Sequence, residues 1–310
     1  MIKSYRGKLV LLIVMALSLV QLGSSIATLQ VTRSLSEDQA TQSVKVGAKI
    51  LQQVLEQKEE QYRSATQVLV SDYGFKSAVA TEDTATLATA LDNHSRRLNA
   101  DLVFLLDSSR NNKLSAPVVG SSEMAALLDS TSVKFDKAEV FSRNMVLNQH
   151  PYTVVFAPVK APTIIGWVGM GFLLDEAVAE EIKQITNLDV GFVAVDDELT
   201  SYSTIDTPSI NDHFTAQSSG TSQGTSRRLA GLSSLENEHL LYVNALSSPL
   251  DEAQLYSYLY VSSENWLKRY YELRNNQLLI FLVVLLVAIG IAVWLAKEVS
   301  RPVEKLVRFA

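Results

Sequence analysis

The chain contains no cysteine, which excludes a disulfide framework and any cysteine-ligated metal site. A protein without thiols also suits an oxidising compartment. Histidine is scarce: His94, His150, His213 and His239 lie far apart without paired metal spacing, so they read as packed or solvated side chains and no metal is expected. There is no Walker loop, no Gly-x-Ser-x-Gly elbow and no His-Glu-x-x-His, hence no catalytic set, no cofactor and no enzyme activity expected of this chain. Asp196-Asp197-Glu198 is acidic enough to attract a cation, but it falls between two apolar runs, where an acidic turn is the simpler reading. Proline is absent from the first 116 residues and glycine is sparse there, which leaves room for very long helices.

Two long uncharged runs stand against these absences. Leu9 to Thr32 holds twenty-four residues without a charge, and Leu278 to Ala296 holds nineteen, fourteen of them Leu, Ile, Val or Phe. The second run measures about 28 Å as a helix, close to the hydrocarbon thickness of a bilayer, about 30 Å. The first is expected to be an uncleaved anchor spanning about 9–29. Ser25-Ile26-Ala27 keeps a cleavable signal peptide as the alternative.

Charge sets the orientation. The residues outside the two runs carry seven basic against two acidic side chains, net +5, whereas the segment between them carries 20 against 31, net −11. Positive flanks belong in the cytoplasm, so both termini are expected inside and the acidic middle outside. That acidic middle excludes a nucleic-acid partner, which would need a basic face.

Between the runs the pattern alternates helix and strand. Val44, Ala48, Leu51, Leu55, Tyr62, Ala65 and Leu69 fall at heptad spacing, with Lys58 in the missing place. They predict a long helix over 30–80, continuous to about Asp72, that packs on its own domain or forms a dimer seam. Leu87, Leu91, His94 and Leu98 predict a second amphipathic helix. Leu102–Leu106 reads as a strand, Asp107–Asn112 as a turn, and Tyr152–Val159 with Ile164–Leu174 as an antiparallel hairpin. Asp175 then opens a helix with Glu176 in its first turn. The layout repeats. Asp101-Leu-Val-Phe104 is echoed by Asp189-Val-Gly-Phe192, and the distances onward to the hairpins at Tyr152 and Leu240, and to the helix starts at Asp175 and Ser263, match between copies. Two copies of one strand–strand–connection–hairpin–helix unit follow, over 81–186 and 187–262, the second with a Ser/Thr/Gly/Gln-rich loop at 216–227. A connecting helix over 263–276 leads into the second span, 277–296.

The membrane exit Ser300-Arg301-Pro302-Val303-Glu304-Lys305-Leu306-Val307 resembles the start of a HAMP signalling domain, with Val299, Pro302, Leu306 and Phe309 forming a coiled-coil-like stripe. Pro302 is expected to mark a joint there and to take part in signal transmission. The whole arrangement resembles the double Cache sensors of bacterial receptors, and Gly166-Trp-Val-Gly-Met-Gly-Phe-Leu-Leu-Asp175 resembles the closing strand of the distal module in the sensor-kinase subgroup. The resemblance implies an α+β fold: two transmembrane helices flanking a long helix and two PAS-like α/β modules with antiparallel sheets. It also implies a homodimeric, two-span inner-membrane receptor that senses a small molecule in the periplasm. The output domain, expected beyond Ala310, would be a cyclic di-GMP enzyme first, or a histidine kinase or chemotaxis signalling domain. The alternative is a module that docks a periplasmic protein partner.

The candidate ligand contacts lie on or beside the distal hairpin: Arg143, His150, Tyr152, Trp167, Met170 and Asp175. Arg143 belongs to the connection expected to close over the sheet, where a guanidinium suits a carboxylate. Gly169 and Gly171 share the Trp167 face of their strand, leaving the backbone open to a helix or a ligand. An amino acid is disfavoured as ligand, because the family's Arg-x-Trp-Tyr signature is missing. Tyr256, Tyr258 and Tyr260 alternate on one face of the last strand and are expected to be packing residues.

Overall fold

The computed structural model describes residues 5–117, 119–120, 124–125, 127–128, 135, 137–196, 198–205, 210–211, 214–215, 231–235, 239–247 and 253–307. Asp197, His213, the stretch 216–227 and the residues after Val307 lie outside the described residues, as do the side chains of Trp266 and Pro302.

Met1–Gln42 and Ser262–Ala310 form one unit and Ser43–Val261 another. In the first, two helices are long and apolar enough to cross a membrane. They belong to α1 (Tyr5–Ser71) and to α5 (Ser263–Val307). Their apolar side chains point outward, Val20 being 72% and Leu279 65% exposed, which suits a lipid environment. Leu17, Ser18 and Gln21 face Phe281, Val284 and Leu285 across a narrow gap beside buried Ala288. Helix α5 runs through Pro302 without a break. The joint expected there is therefore not an interruption of the helix. Proline, lacking an N–H, only leaves the carbonyl of Glu298 without its partner one turn on. Helix α5 begins at Ser263, the start expected from the repeat, and the amide of Glu264 donates to Ser262 Oγ at 3.3 Å.

In the second unit, α1 ends at Ser71, next to the Asp72 where the continuous helix is expected to stop, and the rest of 30–80 belongs to a separate helix. Asp72 caps the next helix, α2 (Tyr73–Thr81), by accepting the Phe75 amide at 2.8 Å. Helix α3 (Thr84–Leu98) follows, capped by Asp83. The heptad residues of α1 face their own domain: Val44, Leu51 and Leu69 are buried, and the Tyr62 ring stacks on Phe172 with centroids 3.6 Å apart. Lys58, the break in the heptad, pairs with Glu181 at 2.7 Å. A Cβ on Gly47 would meet Leu188 and Leu259, so glycine lets α1 lie close to the second sheet.

Two five-stranded antiparallel sheets carry the rest. The first comprises β1 (Leu102–Asp107), β2 (Asn112–Ala116), β3 (Phe141–Leu147), β4 (His150–Lys160) and β5 (Ile164–Leu173), in the order β2-β1-β5-β4-β3. The second comprises β6 (Asp189–Val195), β7 (Leu199–Ser203), β8 (Gly231–Leu235), β9 (His239–Ala245) and β10 (Gln254–Val261), in the order β7-β6-β10-β9-β8. The two orders are the same, as the repeated spacing implies. Helix α4 (Glu176–Thr186) links the sheets, and Asp175 caps it by accepting the Val178 amide at 3.0 Å. Each copy has one strand more than expected, β3 and β8, placed on an edge beside the hairpin. The polar run Ser142-Arg143-Asn144 conceals β3, and a turn with positive φ at Asn148 and Gln149 joins it to β4.

Candidate functional site

The central pair of strands decides what the glycines do. Phe104 on β1 stands opposite Gly169 on β5, and a Cβ on Gly169 would come within 2.6 Å of three ring carbons of Phe104. A Cβ on Gly171 would meet Leu102. The expectation that a helix or a ligand approaches these glycines is therefore corrected: the neighbouring strand's own side chains fill the space. The second sheet uses the same device with the strands exchanged, Tyr258 of β10 lying over Gly191 of β6. Tyr256, Tyr258 and Tyr260 are 2–3% exposed and pack with Val193, Leu241 and Phe214, so the three tyrosines form a packing face.

Alternation on β5 divides the candidate residues. Val168, Met170 and Phe172 face the helices, where the Thr66 hydroxyl donates to Met170 Sδ at 3.7 Å. Trp167 faces the opposite side with Phe104, Phe156, Met145 and Tyr152. Met170 is thus on the wrong face to join the others. Arg143 sits on β3 opposite Val154, not in a connection, and by strand parity it shares the Trp167 face with Met145 and Phe141. His150 and Tyr152 follow the same parity on β4.

Register then separates the residues that share this face. Trp167 pairs with Pro158, six residues along β4 from Tyr152. At about 3.3 Å per residue that is about 20 Å, too far for one small molecule to touch both. The Trp167 end is an aromatic cluster: Phe135 lies 4.8 Å from Trp167 and 5.2 Å from both Phe141 and Phe156, with the Arg110 guanidinium 5.2 Å above its own ring.

The Tyr152 end is polar and adjoins the second sheet. The Tyr202 hydroxyl on β7 and His150 Nδ1 on β4 are hydrogen-bonded at 2.7 Å, a contact between the two modules. Asp101 accepts the Leu173 amide at 2.8 Å, and the Leu174 amide donates to the carbonyl of Pro151 at 2.9 Å, which draws Asp101 and Asp175 toward Tyr152. Burial raises the Tyr152 hydroxyl above its ordinary value, and the charges of Asp101 and Tyr202 add to the shift. Burial likewise raises Tyr202, with a contribution from Asp175. Both phenols therefore ionise less readily than an exposed tyrosine. The structure sets His150 and Tyr152 on one face of β4, with Asp175 within electrostatic reach of Tyr202 and Arg143 two residues along the ladder from Met145, the partner of Tyr152. Sequence reasoning missed Tyr202 and Asp101. Among the described residues, no group of three or more His, Asp or Glu side chains is placed to hold a metal ion.

Comparison with known proteins bears on the whole unit. Residues 37–277 match the family described as the double sensory domain of two-component sensor kinase, dCache_3. No curated protein matches the chain. Among solved structures, the Vibrio cholerae LuxQ periplasmic domain aligns with a TM-score of 0.49 at 13% identity, covering 72% of this chain and 99% of that one. A domain of a putative sensory box/GGDEF family protein from Vibrio parahaemolyticus gives 0.45 at 11% identity, covering 76% and 99%. The ligand-binding domain of the Pseudomonas fluorescens chemoreceptor CtaA, in complex with L-isoleucine, gives 0.42 at 11%, covering 77% and 98%. With most of its length matched, and with its two sheets in the same strand order, the chain belongs to the double sensory domain family of two-component sensor kinases and is a sensory, not a catalytic, chain.

Proposed function

We propose that this chain is the extracytoplasmic input region of a two-span bacterial inner-membrane receptor. A small periplasmic ligand binds at the Arg143–Tyr152 end of the first sheet, and the change passes through the second sheet into α5. The observation that carries the reading is continuity. Strand β10 lies in the middle of the second sheet, Ser262 alone follows it, and α5 then runs unbroken from Ser263 to Val307. The His150–Tyr202 bond supports the earlier step, because it links the ligand end of β4 to the second sheet. The charge asymmetry of the chain supports cytoplasmic termini. A cyclic di-GMP enzyme is the favoured output, and a kinase output, which agrees with the family's description, is the alternative; the resemblance of the membrane exit to HAMP supports a homodimer.

Thermal unfolding of the detergent-solubilised chain against a metabolite set tests the reading. A specific ligand at 100 times its Kd adds about 2.7 kcal/mol. A second reading, docking of a periplasmic protein, is favoured by Val68 and Tyr73, which are 68% and 86% exposed beside the α1–α2 joint. Co-purification of a partner, with no metabolite raising the Tm, would select it.

A further inference from the structure

One cavity lined by the described residues touches none of the candidate ligand contacts. It is a groove of about 430 Å³ at the end of β4, lined by α1 and α2 on one side and the approach to β3 on the other. Its formation follows from Pro158. Proline has no N–H, so it cannot extend the β3–β4 ladder beyond Phe141 and Phe156, and the chain at Ala138–Val140 separates from β4. Arg63 of α1 spans the opening and donates from Nη2 to the carbonyl of Val140 at 2.8 Å.

The lining has an unequal charge. Arg63, Lys76 and Lys160 supply three cations, against Glu139 alone. Val70, Pro158 and Val140 make an apolar floor, and Gln67 and Ser71 add polar atoms. The ammonium groups of Lys76 and Lys160 have no ion pair or hydrogen bond among the described residues. Arg63 is committed only in part: Nη1 lies 3.9 Å from Glu60, a long and solvated pairing. The three cations come from three separate elements and converge on one concave space within an acidic segment. The volume lies in the range of small-molecule sites, about 300–1,000 Å³.

We propose that this groove binds a small organic anion bearing at least two acidic groups, held by Lys76 and Lys160 as point charges and by the free edge of the Arg63 guanidinium. Carboxylates and phosphates share the required chemistry. The apolar floor suits a short carbon skeleton between the acidic groups. The site is separate from the Arg143–Tyr152 end and does not rest on that assignment.

Isothermal titration calorimetry on the full chain in detergent is the test, with citrate and inorganic phosphate as probes and sodium chloride at matched ionic strength as control. Saturable binding of either probe is expected, and which one binds identifies the acid group. Lys76→Gln and Lys160→Gln, made singly and together, should weaken it, the pair by at least tenfold, with an unchanged Tm in the absence of probe. Absence of saturable binding to both probes overturns the proposal. Binding that persists in the double variant also overturns it, since the anion then sits elsewhere. If the double variant unfolds at lower temperature, the single variants decide, and unchanged affinity in both rejects the site.

Discussion

Replacing Gly169 by alanine distinguishes a glycine required by packing from one left clear for a ligand. The added Cβ would lie within 2.6 Å of three Phe104 ring carbons, whereas carbon atoms in contact normally sit about 3.5–4.0 Å apart. The ring would have to retreat by about 1 Å or more. It is fully buried, and Phe156 holds its edge at a centroid distance of 5.7 Å. Gly169 cannot retreat either, because β5 is paired on both sides, to β1 and to β4. Overpacking of this kind costs about 1–3 kcal/mol, and two fixed walls place this case near the upper figure. For a unit the size of Ser43–Val261, each kcal/mol lowers Tm by about 2–4 °C, so a fall of about 6–12 °C is expected. Circular dichroism melts of the wild-type and variant chains in the same detergent provide the comparison. Phe104→Leu in the same chain should recover part of the loss by making room. A Gly169→Ala variant that melts with the wild type, or a Phe104→Leu change that recovers none of the loss, would refute the packing argument.

Trp167→Ala should cost about 3–5 kcal/mol, because the indole is 3% exposed within the aromatic cluster; a change in Tm equivalent to less than 1 kcal/mol would show the ring to be loosely held. Tyr202→Phe removes the partner of His150 and should lower stability by about 0.5–1.5 kcal/mol in urea unfolding, and no change would mean that water replaces the hydroxyl without loss. The hydroxyl and amide of Thr86 hold the Asp83 carboxyl below its ordinary value of 3.8. Its folded value is depressed, so the contribution is fully present above that value and is lost as pH falls through the folded one. Asp83→Asn keeps a capping oxygen but does not titrate, so the acid limb of a Tm–pH profile should flatten, and an identical limb would assign it to other groups.

The elements legible in the sequence were those whose pattern is local. Residues Leu102–Leu106 and the two hairpin strands form apolar runs because they are buried on both faces, and Asp175 is a cap readable from its own position. The repeat was visible as spacing even though side chains differ, since connection lengths are fixed by the sheet order. Strand β3 was not legible, because the polar side chains Ser142, Arg143 and Asn144 occupy its first half and break the apolar pattern. The glycines announced a close approach, but Phe104 comes from a strand distant in the chain, so the partner was hidden until the register was known. The site divided for the same reason. Strand parity on β5 sets Met170 on the face away from Trp167, against its place among the candidate contacts, and the distance from Trp167 to Tyr152 depends on how β4 pairs with β5. Tyr202 and the three cations of the groove are brought together only by tertiary structure.

In the proposed relay, a change in the sensory sheets reaches the cytoplasm along α5 as one stiff element. Helix displacements in such switches are about 1–2 Å, small enough for a flexible joint to absorb. Inserting four glycines after Asn276 places such a joint in α5, just ahead of the uncharged run that begins at Leu278. The measurement is output activity of the receptor carried through to its cytoplasmic domain, with and without the stabilising ligand, for the wild type and the insertion. Unchanged ligand affinity and a lost response are expected of the insertion variant. A full response from the insertion variant would contradict it, and would mean that the signal crosses by a route other than the continuity of α5.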